Sequence, residues 1–385
     1  MAWFDDLVSL LDGSRRSMTR REWLLLHLLR PWGWSYGSVQ ALRAHAYARR
    51  WLDAFRAPVP VISVGNLTSG GTGKTPMVLW LAREILAMGY CPVIVSRGYG
   101  QRSRAPVTVV ADPDGVRTLP PLAADEASLL ARRLPGTVVL TGPERRLLMQ
   151  FALRNYPCDV ILMDDGFQHL QVVRDLDLVL LDAARPWGNG HPLPAGILRE
   201  FPEALRRCDG LILTRADCAQ APERLQQELA TLFPDKPSAL AHHKPGRWTL
   251  AGTERAFPLE ELRPLLLQPF CGLARPDTFR LTLDRLGMTT LPLKSFSDHH
   301  LFRAGELAHL VRSAVREGAQ ALVCTEKDAV KIDPAWTTPL PLYFLAMEID
   351  FPADPLWLRE RVRGLLCGEE RPVGADQGLA ADLPA

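Results

Sequence analysis

The sequence predicts an α/β fold: a largely parallel β-sheet with helices on both faces, a second, smaller α/β lobe after it, and an N-terminal helical segment before it. Three observations carry this expectation. From residue 59 onward, short apolar runs alternate with helix-length stretches, the texture of buried parallel strands joined by helical crossovers. One of those runs ends in a glycine-rich loop that opens into an apolar helix. Residues 1–56 lack such runs and show an apolar recurrence of about 3.6 residues instead.

In the first segment, Val39, Leu42, Ala46, Tyr47, Trp51 and Phe55 recur at helical spacing, with Arg43, Arg49, Arg50 and Arg56 off that face. Trp23, Trp32, Trp34, Tyr36 and Trp51 interleave with nine arginines between Arg15 and Arg56, against two acids, Glu22 and Asp53. Such a segment can pack as a lid on the main domain or lie in a membrane interface, and the two roles are compatible.

Strands are expected at Val59–Val64, Pro92–Val95, Val107–Val110, Val138–Leu140, Val160–Met163, Leu178–Leu181 and Leu211–Leu213. Helices are expected at Pro76–Met88, Asp125–Leu134 and Glu144–Arg154. Beyond about residue 235 a second set includes Ala304–Arg316, Ala321–Cys324 and Pro355–Leu366. The expected organisation is a helical segment (1–56), a nucleotide-binding core (57–234), a second lobe (235–368) and a disordered Gly/Pro/Ala/Asp-rich tail (369–385).

The 385 residues carry a formal net charge of only +2, so no global field suits nucleic acid. Without residues 15–56 the balance falls by seven to −5, so the positive charge belongs to the N-terminal segment. Seven scattered cysteines form no C-x-x-C pair and read as free thiols, several of them buried, in a reducing compartment. Asp5 and Asp6 stand where a secretory signal needs basic residues, and no apolar run approaches the roughly 18 residues of a membrane span.

The strongest chemical signal is Val61-Ile-Ser-Val-Gly-Asn-Leu-Thr-Ser-Gly-Gly-Thr-Gly-Lys-Thr-Pro76. Glycines at 70, 71 and 73 let backbone N–H groups close on phosphate oxygens without Cβ clashes. Ser69, Gly70, Gly71, Thr72, Gly73, Lys74 and Thr75 are therefore the candidate nucleotide-binding residues, with Lys74 reaching the β/γ-phosphates and Thr75 ligating Mg²⁺. Pro76 suits a first helical turn. The one departure from the usual P-loop pattern is threonine at position 68, where glycine is expected. The fold class is thus of the P-loop NTPase type.

A second signal is Val160-Ile-Leu-Met-Asp-Asp-Gly-Phe-Gln-His169. An apolar strand that delivers acids at its carboxyl end is what the metal side of a P-loop site requires, so Asp164 and Asp165 are candidate Mg²⁺ ligands. Adjacent residues at a strand end point opposite ways, so one faces the metal and the other a neighbouring loop. Asp-Asp-Gly is also good turn chemistry.

Taken in order, Gly65-Asn-Leu-Thr-Ser-Gly-Gly-Thr-Gly-Lys-Thr-Pro76, Ser96-Arg-Gly-Tyr-Gly100, Asp164-Asp-Gly-Phe-Gln-His169, Leu193-Pro-Ala-Gly196 with Leu198-Arg-Glu200, and Phe296-Ser-Asp-His-His300 closely resemble the tetraacyldisaccharide 4'-kinase family. The resemblance runs from about Pro58 to Lys331, and Thr68 belongs to that family's own loop. It implies transfer of the ATP γ-phosphate to the 4'-hydroxyl of an acylated glucosamine disaccharide 1-phosphate, in lipid A biosynthesis. It also implies an acid poised on the acceptor hydroxyl, Asp125 in Ala124-Asp-Glu-Ala127, partnered by a histidine of Asp298-His-His300, with His299 preferred. A carboxylate that accepts the proton of a poorly nucleophilic sugar alcohol is sound chemistry. On the residues alone, Asp125 reads equally as a helix N-cap and His299 as a surface loop residue. Tyr99, Arg145, Gln168 and His169 match positions near the acceptor or phosphates, and Arg97, Arg102 and Arg199 are weaker candidates for the acceptor's 1-phosphate. Thr325-Glu-Lys-Asp328 matches another family block whose role does not follow from the sequence.

The implied setting is peripheral, at the cytoplasmic face of the inner membrane, with ATP and Mg²⁺ as cofactors. The expected partners are the glycolipid and the anionic membrane surface, with no nucleic acid and no obligate protein partner. Two other classes share the loop. A partitioning-type ATPase needs a lysine where this chain has Ser69, and a GTPase metallochaperone needs His/Cys clusters and a T-K-x-D motif, of which Leu213-Thr-Arg-Ala-Asp217 is a poor copy.

Overall fold

The computed structural model describes residues 9–13, 19–253, 255–273, 276–333 and 336–368. The tail expected at 369–385 and the basic pair Arg15 and Arg16 lie outside these residues. The chain divides into two units.

The first unit comprises residues 1–96, 144–242 and 351–385. It opens with helix α1 (Arg20–Ala48), capped by Thr19 and Glu22 in a reciprocal box. Strand β1 (Val61–Asn66), helix α2 (Lys74–Ala87) and strand β2 (Pro92–Ser96) follow. After an excursion into the second unit come α4 (Arg145–Asn155), β6 (Val160–Asp164), β7 (Leu176–Asp182), β8 (Gly210–Thr214), α5 (Pro222–Leu232), β9 (Ser238–Leu240) and, near the end, α9 (Leu356–Cys367). The strands lie in the order β2-β6-β1-β7-β8-β9, all parallel. Strands β1, β2, β6, β7 and β8 are buried along their whole length, which is why each reads as an unbroken apolar run and not as an alternation.

The second unit comprises residues 97–143 and 243–350. Its first part pairs β3 (Thr108–Asp112) antiparallel with β4 (Gly115–Val116) and β5 (Val138–Thr141), and carries α3 (Asp125–Arg133). Its second part is a sheet of β10 (His242–Leu250), β11 (Ala256–Phe257), β12 (Leu266–Cys271), β13 (Thr289–Thr290), β14 (Lys294–Ser295), β15 (Ala321–Thr325) and β16 (Leu342–Asp350), with α6 (Pro276–Arg285), α7 (Ala304–Arg316) and α8 (Glu326–Ala329). Trp248, Phe279, Leu283 and Val323 form one core there, and Phe270, Leu307, Leu310 and Leu322 another.

A single boundary near residue 235 does not describe these units, because each is assembled from separate stretches of chain. Helix α9, grouped by sequence order with the second lobe, packs on the first unit. Trp357 sits where a side chain on Gly210 would have to be, and Arg359 pairs with Glu84 and lies over the Trp80 ring. Sequence order shows the crossovers but not the return.

Helix α1 also differs from the periodicity reading. At 100° per residue, Leu24, Leu28, Trp32, Val39 and Leu42 fall within about 80° of arc, and Leu26, Gly33, Gly37 and Ala44 fall opposite them. The second set is the buried one. The large apolar side chains face outward, with Leu28 and Trp32 each 71% exposed and Leu42 65%. The packed face is built from small residues because a Cβ on Gly33 would stand 2.8 Å from the Pro192 carbonyl, and one on Gly37 2.6 Å from the Phe201 ring. Trp51 and Phe55 lie past the helix end. Among the described residues, no helix is long and apolar enough to cross a membrane.

Candidate active site

In the first unit, β1 and β6 are parallel neighbours, with Val64 in register with Asp164, so both release their loops at the same edge of the sheet. The loop after β1 is held by side chains and backbone from three directions. Thr68 bridges Leu198, Ser69 N donates to Ile197 O (2.7 Å), and Arg199 N donates to Leu67 O (2.8 Å). Threonine therefore suits position 68: this part of the loop is extended and paired, not coiled. Asn66 Nδ2 donates to Thr68 O (2.7 Å), Thr214 Oγ1 to Thr72 O (2.8 Å) and Arg215 to Gly71 O (2.7 Å). Gly70 (φ +122°) and Gly73 (φ +87°) occupy left-handed backbone that a side chain would strain, and Gly73 caps α2 directly before Lys74. An apolar strand, a clamped glycine loop and a helix N-terminus make an anion cradle. Arg215, which stands at the lysine of the GTPase motif, pairs with Asp182 (2.7 Å) and braces the loop.

The β6 carboxyl end separates its two acids. Asp164 is the last strand residue and is buried. Asp165 turns into the left-handed region (φ +55°) and meets two cations, Arg199 at 2.8 Å and Lys74 at 3.4 Å. Burial alone would raise the Asp165 carboxyl, but Lys74 and Arg199 outweigh it and hold it below the ordinary carboxylate value. Arg199 also donates to Gln168 Oε1 (3.3 Å), and Gln168 Nε2 donates to Asn66 O (3.0 Å). Helix α1 reaches the same loop through Arg43, which donates to Gln168 O (3.3 Å). The donor types present, the Thr75 hydroxyl and the Asp164 carboxylate, are the hard oxygens that Mg²⁺ takes.

The second unit brings Asp125 and His299 together. Asp125 is the first residue of α3; the cap position is Ala124, so Asp125 is not spent as an N-cap. Its Oδ2 lies 3.0 Å from His299 Nδ1. His299 has a left-handed backbone (φ +56°), which is strained for a non-glycine residue and aims the ring back at α3. Its pKa is raised, chiefly by the hydrogen bond to Asp125, against burial and the nearby Lys327. His300 turns away, stacking on Phe296 and bonding Glu306 (3.0 Å), so the two histidines are not equivalent. The Tyr99 ring stands edge-on to His299 at 5.7 Å. Beside them lies an open pocket of about 580 Å³ lined by Arg102, His299, His300, Leu301, Phe302, Arg303 and Glu306.

The remaining expected residues are dispersed. Arg145 is buried at the start of α4, His169 closes a turn by donating its N–H to Gly166 O (2.8 Å), and Arg97 is exposed. Two charged residues at the Asp125–His299 pair were not foreseen. Lys327 Nζ stands 3.1 Å from His299 Nε2, 3.3 Å from Glu126 and 3.4 Å from Asp298. The signal for both was present in Ala124-Asp-Glu-Ala127 and Thr325-Glu-Lys-Asp328, but nothing in the sequence said that these two blocks meet. Among the described residues no group of three or more His, Cys, Asp or Glu side chains is arranged to hold a metal ion.

The family model described as tetraacyldisaccharide-1-P 4'-kinase matches residues 25–366. A tetraacyldisaccharide 4'-kinase from Anaeromyxobacter dehalogenans is 44% identical over 302 residues, which cover 78% of this chain and 79% of that one. One from Syntrophotalea carbinolica is 42% identical over 334 residues, 86% and 89% of the two chains. The crystal structure of LpxK from Aquifex aeolicus in complex with ATP superposes with a TM-score of 0.72 at 27% identity, covering 89% of this chain and 99% of that one.

Proposed function

We propose a division of roles within this chain, which belongs to the tetraacyldisaccharide-1-P 4'-kinase family and so phosphorylates the 4'-position of the lipid A precursor at the expense of ATP. The first unit holds the nucleotide: backbone N–H groups of Ser69–Gly73 cradle the phosphates, and Lys74 leaves Asp165 to neutralise the β/γ-phosphates. Thr75 and Asp164 are the residues that would hold Mg²⁺, which when bound supplies further positive charge at those oxygens. Asp165, already paired with Lys74 and Arg199, acts by setting where Lys74 rests. The second unit activates the acceptor. Asp125 accepts the proton of the 4'-hydroxyl as its oxygen bonds the γ-phosphorus, the bond to the β-phosphate oxygen breaks, and ADP leaves with that electron pair. His299 holds the carboxylate in place. The observation that carries this assignment is the 3.0 Å contact between Asp125 and His299, two residues 174 apart in sequence.

The outward apolar stripe of α1 supports peripheral attachment to an anionic membrane, the natural station for a kinase whose acceptor stays in the bilayer. Trp23, Trp32 and Trp34 suit headgroup depth, and the exposed Arg20, Arg21, Arg49 and Arg50 suit anionic lipid at about 1 kcal/mol each. The buried small-residue face keeps the helix on the protein while the opposite face meets lipid.

The experiment is incubation with γ-labelled ATP and an acylated disaccharide 1-phosphate, with and without a divalent-metal chelator. The label is expected in a bisphosphate product, and only without chelator. Undiminished transfer with chelator present removes the assignment of Thr75 and Asp164 to a metal.

A further inference from the structure

Resting on that reading of Asp125 and His299, we propose that Lys327 is a positioning residue that sets the tautomer of His299 and thereby leaves Asp125, not the imidazole, as the proton acceptor.

Lys327 Nζ and His299 Nε2 are 3.1 Å apart, a distance that accommodates one hydrogen between them. A lysine ammonium has three donors and no acceptor, so Nε2 must accept. The neutral ring then carries its proton on Nδ1 and donates it to Asp125 Oδ2, 3.0 Å away. Both ring nitrogens are thereby engaged within the protein, and the free oxygen of Asp125 is the lone-pair site left for a substrate hydroxyl.

Lys327 is kept charged by its surroundings. Burial would lower its pKa, but Glu126, Asp298 and Asp125 outweigh burial and raise it. It is also held in place. Helix α8 is a single turn, begun by the Thr325 side chain accepting from Asp328 N. The residue before Lys327, Glu326, pairs with Arg133 (3.2 Å), and the residue after it, Asp328, pairs with Lys331 (2.8 Å) with both side chains fully buried. Asp328 further accepts from Gly272 N (3.1 Å). Anchors on either side make α8 a rigid mount, as precise placement of an imidazole partner requires.

The charges that face His299 fix the direction of the expected effect. Asp125 and Glu126 come from α3 and Asp298 from the histidine's own loop, and each favours the imidazolium; Lys327 from α8 opposes it. The Tyr99 ring and the pocket residues Arg102, His300, Arg303 and Glu306 complete the surroundings. Removing the ammonium raises the His299 pKa, so the ring is protonated over more of the neutral range and holds Asp125 in an ion pair that weakens it as a base.

The test uses full-length Lys327→Met and Lys327→Arg proteins, followed by pH profiles of kcat/KM for the lipid acceptor and by NMR titration of His299. Lys327→Met is expected to move the acid limb of the profile and the His299 titration to higher pH. It is also expected to lose about 10²-fold in kcat at pH 7, the usual cost of displacing a catalytic group by about an ångström. ATP affinity should not change, and Lys327→Arg should recover most of the activity and the original profile. A uniform loss across pH with an unmoved His299 titration overturns the proposal. The Asp125→Asn protein separates the two ideas: full activity there defeats the base assignment, even where Lys327→Met still moves the His299 titration.

Discussion

Removing Asp125 and His299 singly and together asks whether they act as one unit. Asp125 is mostly buried and directed at the ring, so Asp125→Asn keeps the shape and removes the proton acceptor. A positioned general base is worth roughly 10²–10⁴ in rate, or about 3–5.5 kcal/mol of barrier. His299→Ala removes one hydrogen bond to an ionised carboxylate, worth about 1.5–3 kcal/mol, which corresponds to a loss of about 10–150-fold. If the histidine acts only through Asp125, it has nothing left to orient once that carboxylate is gone. The double variant should then fall within about threefold of Asp125→Asn alone. The assay is single-turnover formation of the bisphosphate lipid from prebound ATP, which isolates the chemical step from product release. A double variant as slow as the product of the two single losses, roughly 10³–10⁶-fold, refutes the coupling and leaves the 3.0 Å contact without a catalytic role.

Two further outcomes follow from exposure. Leu28 and Leu42 of α1 are 71% and 65% exposed, so Leu28→Ser with Leu42→Ser should leave stability within about 0.5 kcal/mol per site; at about 1.5–3 kcal/mol per leucine buried in lipid, binding to anionic vesicles in a flotation assay should weaken by on the order of 10²-fold or more, while ATP affinity holds. Of the seven cysteines, Cys91, Cys218 and Cys367 are exposed, Cys158 is half-buried, and Cys208, Cys271 and Cys324 are buried; burial pushes the thiols of Cys158, Cys208 and Cys271 up to about 12 and raises that of Cys324 well above the ordinary thiol value, so a thiol reagent at pH 7.5 should label the three exposed sites promptly, Cys158 slowly and the three buried sites only on unfolding.

The strands and the nucleotide loop were legible because their physics is local. An apolar run buried on both faces, a left-handed backbone at Gly73 and a helix that begins at Lys74 all leave marks within a few residues. Expected and observed ends of β1, β6, α2 and α3 agree within two residues. The pairing of Asp125 with His299 was named through family resemblance, since spacing alone offered an N-cap and a surface loop. What stayed hidden depends on long-range return of the chain. Lys327 lies 28 residues from His299 in sequence and 3.1 Å from it in space. Helix α9 packs beside Gly210, which nothing in its own sequence announces. In α1 the periodicity was present, but it marked the outward, exposed face; the packed face is marked by Gly33 and Gly37, which carry no hydrophobic signal.

The central claim is that nucleotide holding and acceptor activation rest on different residue sets, and one paired measurement tests it directly. Equilibrium ATP affinity and single-turnover transfer are measured for Lys74→Ala and for Asp125→Asn under the same Mg²⁺ and lipid conditions. The account predicts that Lys74→Ala loses both affinity and transfer, because it assigns Lys74 to the β/γ-phosphates. It predicts that Asp125→Asn binds ATP as the parent does and yet transfers about 10²–10⁴-fold more slowly. An Asp125→Asn protein whose slow transfer is matched by an equal loss of ATP affinity would contradict the division of roles.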